Sequence, residues 1–361
     1  MSLLVRSPAL RDDVVAAVGA VTHPGIDVPL ASLGLLDSVE VSRNGDVTVR
    51  ILVLTEHDTR TDALVSAVDA ATRSVPGVRR SVVRMAVLDD EGRGSLSGRL
   101  RERHRRPGRM GSPTKIYAVA SGKGGVGKST VTANLAVALA QTGQRVGVLD
   151  ADVWGYSVPQ LFGVRERPLA IKGLMLPVES HGVRLMSIGF FVSDNEPIVW
   201  RGPMLQKALE QLLDDVFWGS LDVLLVDLPP GTGDVPLTVL ELLPDANLVV
   251  VTTPQRAAEV VAARVGKMAA EAGMPVVGVV ENMVGTAFGV GGGARLADAL
   301  GIPLLAQVPI DEAVSRAGDD GVPLVAAHPD NPTARLLADV GAQLPAVRRS
   351  LVGRSLPLSV T

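Results

Sequence analysis

No cysteine occurs anywhere in the 361 residues. Disulfides are thereby excluded, and so is any zinc or iron–sulfur site whose thiolates all come from this chain. Histidine offers no substitute pattern: His23, His57, His104, His181 and His328 show no paired spacing. Long apolar runs are missing as well. None reaches the roughly 18 residues of a membrane span, and Met1 to Pro8 lacks the basic start and long apolar core of a signal peptide. A cytoplasmic protein with no stable membrane contact is expected. The formal net charge is only -3, which gives no overall reason to expect nucleic acid or an anionic surface as partner. What the chain does hold is 47% hydrophobic residues and a length sufficient for two domains.

The most informative stretch runs from Ser121 to Thr130 and reads S-G-K-G-G-V-G-K-S-T. Gly122 to Ser129 fits G-x-x-x-x-G-K-[ST], between an apolar run (Ile116 to Ala120) and a helix-forming run (Val131 to Ala140). That strand, loop and helix context marks a phosphate-binding loop. Gly122, Gly124, Gly125 and Gly127 are expected to take positive φ and let the backbone close on phosphates. The loop amides, including those of Lys123, Val126 and Thr130, and the helix N-terminus then cradle the anion. Lys128 is expected along the β- and γ-phosphates and Ser129 on Mg²⁺.

Acids at strand ends extend the site. Arg145 to Asp150 reads as a buried strand ending in Asp150-Ala151-Asp152; carboxylates there face the ligand crevice of a doubly wound sheet, although a pair of helix caps would read the same way. Leu221 to Asp227 is an apolar run ending in an acid, so Asp227 is expected in the Mg²⁺ shell. Leu228-Pro229-Pro230-Gly231-Thr232-Gly233-Asp234 follows directly, a stiff loop placed to respond to the γ-phosphate.

Before this lies a smaller unit. A helix over 9–20, strands Leu36 to Val41 and Val47 to Val53 joined at Asn44-Gly45, a helix over 60–74 and a strand near 80–88 give an α-β-β-α-β order. Residues 91–113 hold seven arginines among Gly, Ser and Pro and read as a flexible, self-repelling linker; no aromatics interleave to suggest nucleic acid. A C-terminal helix over 331–350 would put Leu336, Leu337, Val340, Leu344 and Val347 on one side, packed on the sheet. The fold class expected is α/β: a small α+β domain (1–90), the linker (91–113), and a doubly wound, mainly parallel P-loop NTPase sheet (114–361).

The second lysine of K-G-G-V-G-K-S, Lys123, resembles the deviant Walker A pattern of the MinD, ParA, nitrogenase iron protein and Mrp ATPases. With D-L-P-P-G-T-G-D (227–234), Trp200-Arg201-Gly202-Pro203-Met204, Thr252-Thr253-Pro254-Gln255 and Glu281-Asn282-Met283, the chain resembles the Mrp/ApbC family of iron–sulfur cluster carrier ATPases. The resemblance implies a homodimer in which Lys123 reaches the partner's nucleotide, and dimer-dependent ATP hydrolysis. It also implies Asp152 positioning the water, Asp150 on the Mg²⁺ side, Asn282 on adenine, and apo iron–sulfur proteins or assembly factors as partners. The N-terminal unit is similar to the iron–sulfur assembly domain that often precedes such ATPases, on His23-Pro24, Leu33-Gly34-Leu35 and Val75-Pro76-Gly77-Val78.

Three departures stand out. Thr55-Glu56-His57-Asp58-Thr59 occupies the place of that domain's reactive cysteine, with His57 either a replacement contact or simply solvated. Trp154-Gly155-Tyr156-Ser157 replaces the usual G-P-S, and the C-x-x-C expected after Glu281-Asn282-Met283 is absent. The alternatives are therefore an ATP-dependent adaptor without a cluster, or a positioning switch of the MinD/ParA kind.

Overall fold

Two alternating apolar stretches joined by Asn44-Gly45 begin the fold. In the computed structural model the described residues are 8–55, 59–108, 112–152, 155–191 and 202–344. Helices α1 (Pro8–Gly19) and α2 (Leu30–Leu33) precede strands β1 (Leu36–Val41) and β2 (Asp46–Val53), which pair antiparallel across Gly45 at φ +80°. Helix α3 (Thr59–Arg73) then crosses over to β3 (Arg80–Val87), parallel to β2. Val47, Val49, Ile51 and Val53 alternate inward along β2 and share a core with Val14, Val18, Leu64 and Val68 of the two longer helices. His57 lies outside the described residues.

The arginine-rich segment corrects the linker expectation. It forms α4 (Asp90–Arg103), capped by Asp89, whose carboxylate accepts from Gly92 N at 2.7 Å. Acids occupy its first turn and arginines its last, as the helix dipole favours. Leu96 and Leu100, four residues apart, are buried in the N-terminal core. Two arginines bind backbone, Arg99 Nη1 donating to Leu33 O at 2.6 Å and Arg93 Nη2 to Leu54 O at 2.7 Å, while Arg101 and Arg106 pair with Asp215 and Asp214.

The second part alternates strand and helix: β4 (Lys115–Ser121), α5 (Lys128–Gln141), β5 (Val146–Asp150), α6 (Val158–Leu161), then short strands β6 (Leu169–Ile171), β7 (Leu174–Leu176), β8 (Val178–Ser180) and β9 (Val183–Ser187). After α7 (Gly202–Asp214) come β10 (Val223–Asp227), α8 (Asp234–Leu242), β11 (Asn247–Thr252), α9 (Arg256–Glu271), β12 (Val276–Val284), α10 (Gly292–Leu300) and β13 (Leu304–Pro309). Helices α11 (Glu312–Asp319), α12 (Leu324–Ala327) and α13 (Pro332–Gln343) finish the described chain. One eight-stranded sheet results, ordered β13-β12-β11-β4-β10-β5-β9-β8, parallel except for the edge strand β8. Its central strands are near-continuous Val, Ile, Leu and Ala because helices cover both faces. This is the α/β doubly wound class expected.

Short β6 and β7 form a separate hairpin, and Ile171, Leu174 and Leu176 from it, with Phe217, are buried in the N-terminal core. Buried Arg184 on β9 joins the two parts. It pairs with Asp27 and Glu179 and donates to Trp218 O at 2.6 Å. In α13, Leu337 and Val340 are buried, as is Leu344 just beyond it, but Leu336 faces solvent, correcting one position of the expected apolar side. Val347 and the residues after it lie outside the described region.

Candidate nucleotide-binding site

The carboxyl ends of β4, β10, β5 and β12 meet on one side of the sheet, the crevice where open α/β sheets take ligands. The loop after β4 turns at Gly125 (φ +76°) and Gly127 (φ +81°), and α5 starts at Lys128. Gly122 and Gly124 do not take positive φ, contrary to expectation. Gly122 is needed for space instead: a Cβ there would sit 2.4 Å from backbone atoms of Val261 and Ala262. A cavity of ≈ 470 Å³ opens over the loop, walled by Gly124 to Thr130, Asp152, Pro229 and Pro230 among others.

Asp227 is the hub beneath that cavity. It is fully buried, and its Oδ2 accepts from Lys128 Nζ at 2.7 Å and Ser129 Oγ at 2.5 Å. Its Oδ1 accepts from Thr132 Oγ1 at 2.8 Å. Lys128 Nζ also lies 3.8 Å from Asp152 Oδ2. Lys128, Ser129, Asp227 and Asp152 are therefore brought together as the motifs predict. Thr132 was not anticipated; its one signal is its place four residues after Lys128, on the same helix face.

Asp150 sits deeper. In sheet register it lies directly beside Asp227, with Ser187 Oγ donating to its Oδ2 at 2.9 Å and Asp152 N to its Oδ1 at 3.1 Å. Complete burial, added to repulsion from Asp227, pushes its carboxyl from 3.8 up to about 8, against the pull of Lys128. A neutral, enclosed carboxyl of this kind braces the Asp152 turn.

Two further residues are held by bonds within the chain. Lys123 Nζ donates to Gln255 Oε1 at 3.0 Å within the same chain. Asn282 Nδ2 donates to Val126 O at 2.9 Å, fastening β12 to the loop, and a Cβ on Gly127 would fall 2.2 Å from that nitrogen. The loop after β10 is tied in by Gly231 N donating to Ser121 O at 2.8 Å. Trp154, Trp200 and Arg201 lie outside the described residues.

The donor set fits Mg²⁺. Ser129 and Asp227 offer hard oxygens, and no group of three His, Cys, Asp or Glu side chains among the described residues forms a cage for a metal. Mg²⁺ suits such a site because it keeps waters and phosphate oxygens as most of its ligands. Among the described residues no helix is long and apolar enough to cross a membrane.

Comparison with known proteins agrees with this geometry. The model of a NUBPL iron-transfer P-loop NTPase family (ParA) matches residues 112–344, and that of an iron–sulfur cluster assembly protein matches 11–83. A Mycobacterium tuberculosis protein named iron-sulfur cluster carrier protein is 44% identical over 99% of this chain and 98% of its own length. A Synechocystis protein of the same name is 35% identical over 92% and 96%. Among solved structures, a nucleotide-binding protein from Archaeoglobus fulgidus in complex with ADP matches at TM-score 0.52 and 36% identity, covering 62% of this chain and 91% of that one. The cell division ATPase MinD of Pyrococcus furiosus, at TM-score 0.50 and 24% identity over 63% and 97%, shares the fold. With its phosphate loop, its buried Lys128 to Asp227 pair and a family match over most of its length, the chain belongs to the iron-transfer P-loop NTPase family.

Proposed function

We propose that this protein hydrolyses Mg-ATP as a homodimer, and that the cycle serves iron–sulfur transfer to apoproteins. The observation that carries the nucleotide part is the cluster of Lys128, Ser129 and Asp227 beneath the open cavity over the glycine-rich loop. In the free protein Asp227 neutralises Lys128. An incoming triphosphate gives Lys128 a second, denser anion and frees Asp227 and Ser129 to take a hydrated cation. Bound there, Mg²⁺ neutralises charge on the phosphate oxygens. In this reading Asp152, which lies beside Lys128 and lines the same cavity, orients the attacking water, while Asp150 fixes the turn on which it sits. Lys123 leaves Gln255 for the partner's nucleotide, which makes hydrolysis depend on dimerisation. Asn282, its Nδ2 held by Val126 O, keeps Oδ1 as an acceptor for a donor on the base edge, such as the 6-amino group of adenine.

The iron–sulfur cluster is cargo in this scheme. With no cysteine in the chain, its thiolates come from the client or from a small thiol. The same absence favours a second reading, an ATP-driven adaptor that holds clients without a cluster. The test of the engine is phosphate release beside equilibrium ATP binding. Lys128→Ala abolishes turnover, and Lys123→Ala loses turnover while keeping most of its ATP affinity. Measurable hydrolysis by purified Lys128→Ala would sink the assignment.

A further inference from the structure

Beyond the phosphate cavity the cleft continues into a second one of ≈ 400 Å³, and the two share Gly127, Thr130 and Ser157. Away from that shared wall Leu161, Met283, Phe288, Pro309, Ile310 and Val314 supply apolar lining, and Asn282 supplies a polar contribution beside Gln160, Ser315, Asp311 and Asp319. A purine has that same make-up, two apolar faces and a rim of donors and acceptors.

Phe288 is the one aromatic ring in this lining. Its backbone is fixed: Gly289 N donates to Gly285 O at 2.7 Å, Gly285 N to Gly289 O at 3.1 Å, and Phe288 N to Gly285 O at 3.2 Å. Gly289 closes the turn at φ +81°. The turn is tied to the far wall, since Ile310 N donates to Val284 O at 2.9 Å. Even so, Phe288 is 40% exposed and Ile310 50%. A rigid turn that holds a large apolar ring half in water at the mouth of a cavity leaves one of its faces without a partner.

We propose that Phe288 is the base-stacking residue of this site, covering one face of the purine while Asn282 meets its edge. This rests on the nucleotide reading above and deepens it. Stacking needs the ring rather than the charge of the ligand, so its loss weakens a nucleotide and leaves inorganic tripolyphosphate untouched. The competing role for the ring is packing alone, which carries no such selectivity.

Titration calorimetry with Mg-ATP and with Mg-tripolyphosphate, on the full chain and on Phe288→Ala, separates the two. Removing an aromatic that stacks on a base weakens binding of that base roughly tenfold. The expected result is about that loss for ATP, with tripolyphosphate affinity unchanged. Phe288→Trp restores ATP affinity, and its added indole emission, measured against the wild-type background, is quenched by ATP but not by tripolyphosphate. Equal weakening of both ligands would assign Phe288 to packing and overturn the proposal, as would no change in either. Wild-type protein that binds tripolyphosphate but gains nothing from the base would overturn it while sparing the phosphate site. Wild-type protein that binds neither would bring down the nucleotide reading itself.

Discussion

Asp227 gathers three donors at once, and this sets what single residues do around it. Lys128 and Ser129 were legible because their spacing from Gly122 is dictated by phosphate geometry, and Asp227 because an acid ending an apolar strand has few other uses. Thr132 and Ser187 were not. Buried hydroxyls inside helices and at strand ends are common, and their partners emerge only once β4, β10, β5 and β9 lie in register. The same register makes Asp150 pH-sensitive. Its folded carboxyl titrates near 8, against 3.8 for the ordinary group, so between those values the folded state holds a proton that the unfolded state has lost. Stability from this group is therefore complete below about pH 4 and lost as pH rises through 8. The apo-protein should melt at progressively lower temperature from pH 6 to 8.5, and Asp150→Asn should flatten that slope. A wild-type profile already flat over this range would contradict the protonated carboxyl.

Among the elements, α4 shows how composition misleads. Seven arginines with Gly, Ser and Pro read as a self-repelling coil, yet two leucines at helical spacing outweigh them once there is a surface to bury against. Arg93 and Arg99 bond carbonyls, and Arg101 and Arg106 pair with Asp215 and Asp214, uses that charge counting along the segment does not reveal. The large parallel strands were readable as apolar runs ending in functional residues. The three-residue strands β6, β7 and β8 were too short to show periodicity, and Arg184 disguised β9 by placing a charge mid-strand. Leu100→Ala tests α4 directly. A cavity at this fully buried position costs about 2–5 kcal/mol, to be read as a lowered urea midpoint, with faster proteolysis between residues 104 and 114. An unchanged midpoint would mean that the helix is dispensable to the N-terminal core.

At the scale of the whole molecule, the phosphate loop and its Lys128–Asp227 pair are present and cysteine is not. The relatives carry the name of iron–sulfur carriers over nearly the whole length of this chain, so the deciding measurement is anaerobic reconstitution of the purified protein, counting iron and acid-labile sulfide per chain with and without an added low-molecular-weight thiol. Carrier function predicts a stable, transferable cluster only when the thiol or a cysteine-bearing client is supplied. Failure under both conditions, with ATP hydrolysis intact, moves the protein to the adaptor reading. The β6–β7 hairpin bears on any attempt to take the molecule apart. It belongs by sequence to the nucleotide-binding part, but its Ile171, Leu174 and Leu176, with Phe217, complete the N-terminal core. A gene cut at the arginine-rich segment would thus yield two fragments with raw apolar surfaces. Chimaeras that exchange N-terminal modules between relatives will stay soluble only if residues 169–176 and Phe217 travel with the module they complete.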